Sequence, residues 1–310
     1  MKITMSEDVE SAESDDMMRC ASCGIGQEVE DIKLKKCTAC KSVRYCSVKC
    51  QKEHRRQHKR ECKKRAAELH DDILFKQPES IHFGDCLICC LPLSIDPEKS
   101  TLTPCCSKLI CDGCVYANQI RMMKERLKPN CPFCRRPAAK NDEKINKQKM
   151  KRIEVNDPDA LREMGYRRRN EGDFDGAFEY WTKAAWLGDA GSHYELALLY
   201  LEGQVVEEDE KKALYHLEQA TMRGHPNARN NLAVFEWRNG RRERAVKHFI
   251  IGANLGFDRS LESVKKCYTD GLVSKDDFAS ALRAHQAAID ATKSPQREAA
   301  VEYRRMTDSN

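Results

Sequence analysis

The chain has 310 residues, a formal net charge of +5 from 54 Lys and Arg against 49 Asp and Glu, and a mean hydropathy of −0.71. That length has room for two or three domains at ~100 to 200 residues each, and the low hydropathy argues against one large core. No run approaches the roughly 20 consecutive apolar residues that span a bilayer.

The first 19 residues are acidic and polar, unlike a secretory signal, and are expected to be disordered. The expected location is therefore intracellular, in the cytoplasm or nucleus. Sixteen of the 17 cysteines then follow between Cys20 and Cys134. In a reducing compartment thiols stay free, bind metal or catalyse and seldom form lasting disulfides, so this density points to metal. Cys267 stands alone and is expected to be a small apolar side chain in a helix interface.

The first ligand series is Cys20-x2-Cys23, Cys37-x2-Cys40, Cys46-x3-Cys50 and His58-x3-Cys62. Pairs two residues apart suit tight knuckle turns, and pairs three apart can lie one helical turn from each other, so eight donors fill two tetrahedral sites. Few large apolar residues lie between them, so metal must supply most of the folding free energy. The run from Cys20 to Cys62, with its stretch Tyr45-Cys46-Ser47-Val48-Lys49-Cys50-Gln51, resembles a MYND zinc finger. That resemblance implies interleaved sites, Cys20, Cys23, Cys46 and Cys50 on one zinc and Cys37, Cys40, His58 and Cys62 on the other. It favours His58 over His54, which becomes a surface or supporting group. MYND fingers typically bind short proline-containing peptides. Many carry Trp after the first His of the helix, where this sequence has Arg55. Of the fifteen residues from Gln51 to Arg65, eight are Lys or Arg and two are Glu. The run from Lys52 to Arg65 raises nucleic-acid binding, but no aromatic residues are interleaved with it, which favours a solvated helix face.

The second series is Cys86-x2-Cys89, Cys105-Cys106, Cys111-x2-Cys114 and Cys131-x2-Cys134. The long gap after Cys89 and the tail Cys131-Pro132-Phe133-Cys134-Arg135 resemble a RING-type cross-braced zinc fold, which implies Cys86, Cys89, Cys111 and Cys114 on one zinc. In the family's spacing Cys106 takes the third ligand position and Lys108 stands where a His is usual. A lysine ammonium has no lone pair to offer. Cys105 is the substitute, giving Cys105, Cys106, Cys131 and Cys134, with Cys90 and His82 as competitors. The resemblance also implies docking of a ubiquitin-conjugating enzyme on Ile88, Pro132 and Arg135. The alternative is that Ile88 and Pro132 cover the metal sites and Arg135 is solvated.

Residues 139–157 are charged, a linker or solvated helix, and Asn156-Asp157-Pro158 suits a helix start. An internal repeat follows. Alanine with glycine eleven residues on recurs as Ala177 with Gly188, Ala213 with Gly224 and Ala245 with Gly256, and a degenerate fourth copy begins near Ala279. A mid-copy glycine at Gly172, Gly203, Gly240 and Gly271 makes each copy helix, turn, helix, with Ala184, Ala220 and Gly252 where helices approach. Lys212-Ala213-Leu214-Tyr215 and Lys183-Ala184-Ala185-Trp186-Leu187-Gly188 resemble Sel-one-like repeats, relatives of tetratricopeptide repeats, over residues 158–292. Such repeats stack into a solenoid whose concave face commonly binds proteins. Tyr180, Trp181, Tyr194, Tyr200 and Trp237 are expected in the inter-helix core, and residues 293–310 form a charged tail expected to fray.

The expected architecture is thus small irregular zinc-stabilised modules, MYND-like at 20–62 and RING-like at 83–138, joined by a basic helix end and linker at 63–82 and followed by an all-α helical-repeat solenoid. This order resembles multi-module proteins of single-celled, diatom-type algae. No Ser-His-Asp set or Gly-rich phosphate loop is evident, and the cysteine clusters suit closed structural zinc better than an open catalytic site. The expected function is a protein-protein interaction adaptor with about four structural zinc ions. The rivals are a RING-type ubiquitin ligase and a nucleic-acid binder using the helix 52–65.

Overall fold

The computed structural model describes residues 19–26 and 32–308, and nearly all of the stretch expected to be disordered lies outside them. The chain divides into two compact units, at residues 1–76 and 77–310.

In the first unit, strands β1 (Lys35–Lys36) and β2 (Arg44–Tyr45) pair antiparallel around the turn carrying Cys37 and Cys40. Helix α1 (Val48–Leu74) follows, started by the Ser47 hydroxyl, which accepts from the Cys50 amide at 3.2 Å. The core is Cys20, Leu34, Cys37, Cys40, Tyr45 and Cys50, so the candidate ligands are themselves most of the buried apolar surface. Within α1 only Cys50 and Leu74 are buried. At about 100° per residue, Cys50, His54, His58 and Cys62 share one face, and Lys52, Arg56, Lys59 and Lys63 lie on the opposite, exposed face.

The second unit begins with a cysteine-rich module. Strands β3 (Ser100–Leu102) and β4 (Leu109–Cys111) pair antiparallel, and helix α2 (Asp112–Lys124) runs on directly from β4. Cys86, Leu93, Ile110, Cys111 and Cys114 form its core. The charged segment after it contains helix α3 (Asp142–Glu154), which buries no residue.

Four antiparallel helix pairs follow: α4 (Pro158–Asn170) with α5 (Phe174–Trp186), α6 (Ala190–Glu202) with α7 (Glu210–Met222), α8 (Pro226–Arg238) with α9 (Arg242–Asn254), and α10 (Asp258–Thr269) with α11 (Lys275–Ala291). Asp157, Asp173, Asp189 and Asp209 cap α4 to α7, each side chain accepting an amide of the first turn. Small residues let the helices approach: Ala177, Ala184, Ala213, Ala220 and Ala245 are fully buried, and a Cβ on Gly252 would meet the Ser260 hydroxyl at 2.4 Å. Cys267 packs with Phe249, Val264 and Ala281 in the core of the last two pairs. No helix among the described residues is long and apolar enough to cross a membrane.

Trp181 alone of the five singled-out aromatics is fully buried. Its Nε1 donates to the Arg162 carbonyl at 3.2 Å, and it packs with Ala177, Ala185, Leu196 and Leu199. Trp181→Ala should cost about 3 to 5 kcal/mol by emptying that space, read as a drop in the urea midpoint of the helix signal. Tyr194 and Tyr200 are half-buried and stack on His225 and His216. Trp186, by contrast, is 90% exposed.

The turns at Gly188, Gly224 and Gly256 fall on one edge of the stack, and the cysteine-rich module is attached along it. The His82 amide donates to the Gly224 carbonyl at 3.1 Å, and Asn254 Nδ2 donates to Gln77 Oε1 at 3.2 Å. Gly224 has φ +80°, and a Cβ there would sit 2.6 Å from the Ser80 carbonyl oxygen, so only glycine admits this approach. The His82 and His225 rings stack at 4.3 Å. Residues 77–82 are therefore fixed to the solenoid, not a free linker. Residues 295–308, expected to fray, form helix α12 (Pro295–Asp308), which packs on α2.

Candidate metal centres

Four side-chain groups converge: Cys20, Cys23, Cys46 and Cys50; Cys37, Cys40, His58 and Cys62; Cys86, Cys89, Cys111 and Cys114; and Cys105, Cys106, Cys131 and Cys134. Within each, all four donor atoms lie within 4.8 Å of one another. Tetrahedral zinc with Zn–S near 2.3 Å requires sulfur pairs about 3.8 Å apart. The observed pairs fit: Cys23–Cys46 and Cys46–Cys50 at 3.6 Å, Cys37–Cys62 and Cys89–Cys111 at 3.7 Å, Cys105–Cys134 at 3.4 Å and Cys106–Cys131 at 3.9 Å. His58 presents Nε2, 3.2 Å from Cys40 Sγ. Both modules interleave their pairs, the first with the third and the second with the fourth, so each pair of centres cross-braces one short chain segment.

A recurring backbone turn aims the sulfurs. Gly24, Lys41, Cys90 and Arg135, each directly after a Cys-x2-Cys pair, are left-handed, and their amides donate to the carbonyls of Cys20, Cys37, Cys86 and Cys131 at 2.8 to 3.0 Å. Isolated bridges Arg19 to Gly26, Asp85 to Pro92 and Asn130 to Pro137 close three of these knuckles from outside.

The adjacent pair Cys105-Cys106 uses the same turn. Ser107 is left-handed at φ 52°, its amide donates to the Thr103 carbonyl at 2.9 Å, and the Thr103 amide donates to the Lys108 carbonyl at 3.0 Å. Thr103 thus occupies the first knuckle position, Cys106 the second, and Cys105 supplies the missing sulfur from between them. Thr103 Oγ1 lies 3.1 Å from Cys106 Sγ. The irregular spacing is a knuckle with threonine in its first place, a backbone pattern that ligand counting alone does not register.

The remaining candidates fall outside the four groups. His54 Nδ1 is 3.1 Å from the Tyr45 hydroxyl and its ring stacks on His58 at 5.7 Å, a supporting position. His82 is taken up by His225. Lys108 contributes backbone only to the turn, and Cys90 is exposed at a left-handed position. Cys90→Gly should leave the zinc count unchanged and stabilise the module by up to about 1 kcal/mol through relief of that backbone, checked by native mass spectrometry and thermal melting. Ile88 is 41% exposed, Pro132 is half-buried and Arg135 is exposed. Arg55 also faces solvent.

Fifteen thiolates and four divalent ions remove seven charges from the formal +5, leaving −2. The metal-loaded chain is then close to neutral despite a sequence isoelectric point near 8.4.

Residues 13–62 match the MYND finger model, and residues 158–189 and 190–225 match the Sel1 repeat. Among solved structures, the chain is similar to a Sel1 repeat protein from Oxalobacter formigenes, at 20% identity over 57% of this chain and 75% of that one, with a TM-score of 0.43. It is also similar to c5321, a protective antigen of uropathogenic Escherichia coli displaying an SLR fold, at 26% identity over 47% of this chain and 33% of that one, with a TM-score of 0.39. No curated protein matches. The chain carries a MYND zinc finger followed by Sel1 repeats, with four Cys/His clusters suited to zinc.

Proposed function

We propose that this protein is an interaction scaffold in which sixteen side chains hold four structural zinc ions and the MYND finger and repeats each bind a partner protein. The observation that carries this reading is the donor sets: each has four protein ligands, which fill a tetrahedral zinc and leave no position for substrate. The middle module then serves as a rigid brace along one edge of the repeats. On this reading the finger selects short proline-containing peptides, with Arg55 giving that surface a cation in place of an aromatic wall. Phage display of peptides against the zinc-loaded chain tests it. Enrichment of a motif whose binding is lost on Cys46→Ser supports the scaffold, and no enrichment above a bare-matrix control sinks the finger's part in it.

A ubiquitin ligase is the second reading, supported by the exposure of Ile88 and Phe133, each 41%, beside solvent-facing Arg135 on knuckle tips of the middle module. Here Ile88, Pro132 and Arg135 would dock a ubiquitin-conjugating enzyme. Autoubiquitination that disappears on Ile88→Ala would establish it in place of a passive brace. No ubiquitin transfer with a panel of conjugating enzymes would remove it.

A further inference from the structure

The middle module touches a segment far from it in sequence. A Cβ on Gly113, which lies between Cys111 and Cys114, would meet the Arg297 backbone at 2.9 Å, so α12 rests directly on the ligand-bearing turn. Gln296 Nε2 donates to the Gly113 carbonyl at 3.0 Å. From this contact the Arg297 side chain enters the loop after Cys89. Its Nη1 donates to the carbonyls of Pro92 at 2.6 Å and Thr292 at 2.8 Å, and its Nη2 donates to the Leu91 carbonyl at 3.1 Å and lies 3.4 Å from Cys89 Sγ. Farther along α12, Arg304 donates to the Glu98 carbonyl at 2.6 Å and pairs with Asp112, while Tyr303 packs on Tyr116 at 5.1 Å.

The chemistry of this contact goes beyond packing. Four thiolates around one Zn²⁺ leave a charge of −2. Cys86, Cys111 and Cys114 are at most 4% exposed, so water screens that charge poorly. A guanidinium offsets half of that charge, directs a hydrogen bond at a ligand sulfur, and fixes the loop carbonyls with its other donors, as groups outside a metal's ligand shell commonly do. We infer that Arg297 is a positioning residue of the centre formed by Cys86, Cys89, Cys111 and Cys114, so that this centre is completed only when α12 docks. The inference rests on the zinc reading above, which the count of bound zinc in the unaltered chain tests separately.

The experiment follows zinc transfer from the full-length loaded chain to a chromophoric chelator, with alkylation and mass spectrometry reporting which cysteines become reactive. Arg297→Ala is expected to release one of four zinc ions about ten- to a hundredfold faster, exposing Cys86, Cys89, Cys111 and Cys114 first. Arg297→Lys, which keeps the charge but loses the fork, should fall between Arg297→Ala and wild type. Arg304→Ala removes an outer contact of α12 while Gln296, Arg297 and Tyr303 still hold the helix in place, touches no sulfur, and should leave release near the wild-type rate. Unchanged release from Arg297→Ala would overturn the inference. So would equal acceleration by Arg304→Ala, since the helix and not the guanidinium would then be responsible.

Discussion

Chelation of the loaded protein should release four zinc ions and unfold both cysteine-rich modules while most of the helical signal survives. Among the described residues of the MYND finger, the buried apolar side chains that are not candidate ligands are Leu34 and Tyr45, far too few to offset the backbone entropy of ordering the segment. Structural zinc in small fingers carries about 10 to 16 kcal/mol per ion, so its loss removes the folding free energy outright. The helix pairs from α4 to α11 have their own cores of Trp181, Leu196, Leu217, Phe249 and Val264 and should stay folded. Cys105→Ser should lower the count in native mass spectrometry from four to three, leaving Cys86, Cys89, Cys111 and Cys114 protected from alkylation. The knuckle assignment makes a stricter demand. With Thr103 in the first knuckle position, Thr103→Cys in the Cys105→Ser background should restore the fourth zinc, because it rebuilds Cys-x2-Cys on a turn already present. A count that stays at three would mean that the turn does not aim residue 103 at the metal.

Much of this was legible in the sequence because ligand spacing and helical repeats are local signals. The pairs from Cys20 to Cys62 specify two sites by count alone, and the recurrence of Ala177 with Gly188, Ala213 with Gly224 and Ala245 with Gly256 gives the helix pairs their boundaries. What escaped depended on backbone conformation or on distant contacts. Thr103 has the wrong side chain for a ligand, and only the left-handed Ser107 and the carbonyl of Thr103 mark it as a knuckle residue. Helix α12 has a sequence as charged as a frayed tail, yet Arg297 and Arg304 spend their charge on carbonyls and Asp112 of a module some two hundred positions away. The attachment of residues 77–82 to the repeats was hidden for the same reason, since it runs through backbone groups and a glycine whose missing Cβ is what matters.

Acid should destabilise the second unit through its buried histidines as the pH falls below about 6.5. Burial holds His82 and His248 down to about 3 and His193 and His216 to about 4, and pushes His225 well below the ordinary histidine value. Nearby cations act in the same direction, Arg162 on His82 and His225, Arg223 on His193, and Arg229 and Arg244 on His248, while Asp189 opposes them at His193 and His225. In the unfolded chain these rings titrate near 6.5. Between the two values the unfolded state therefore binds more protons, so stability is intact above about pH 6.5 and falls as the pH drops toward 4. His248, fully buried in α9 and remote in sequence from every candidate ligand, separates this effect from acid release of zinc. Removing its proton uptake with His248→Leu should make the variant about 2 kcal/mol more stable at pH 5, relative to wild type, than it is at pH 7, read from urea melts at the two values. Parallel loss of stability in both proteins would assign the acid sensitivity to the metal centres. A widening gap would place it in the repeats, with the stacked His82 and His225 then marking the contact between module and solenoid as the next to yield.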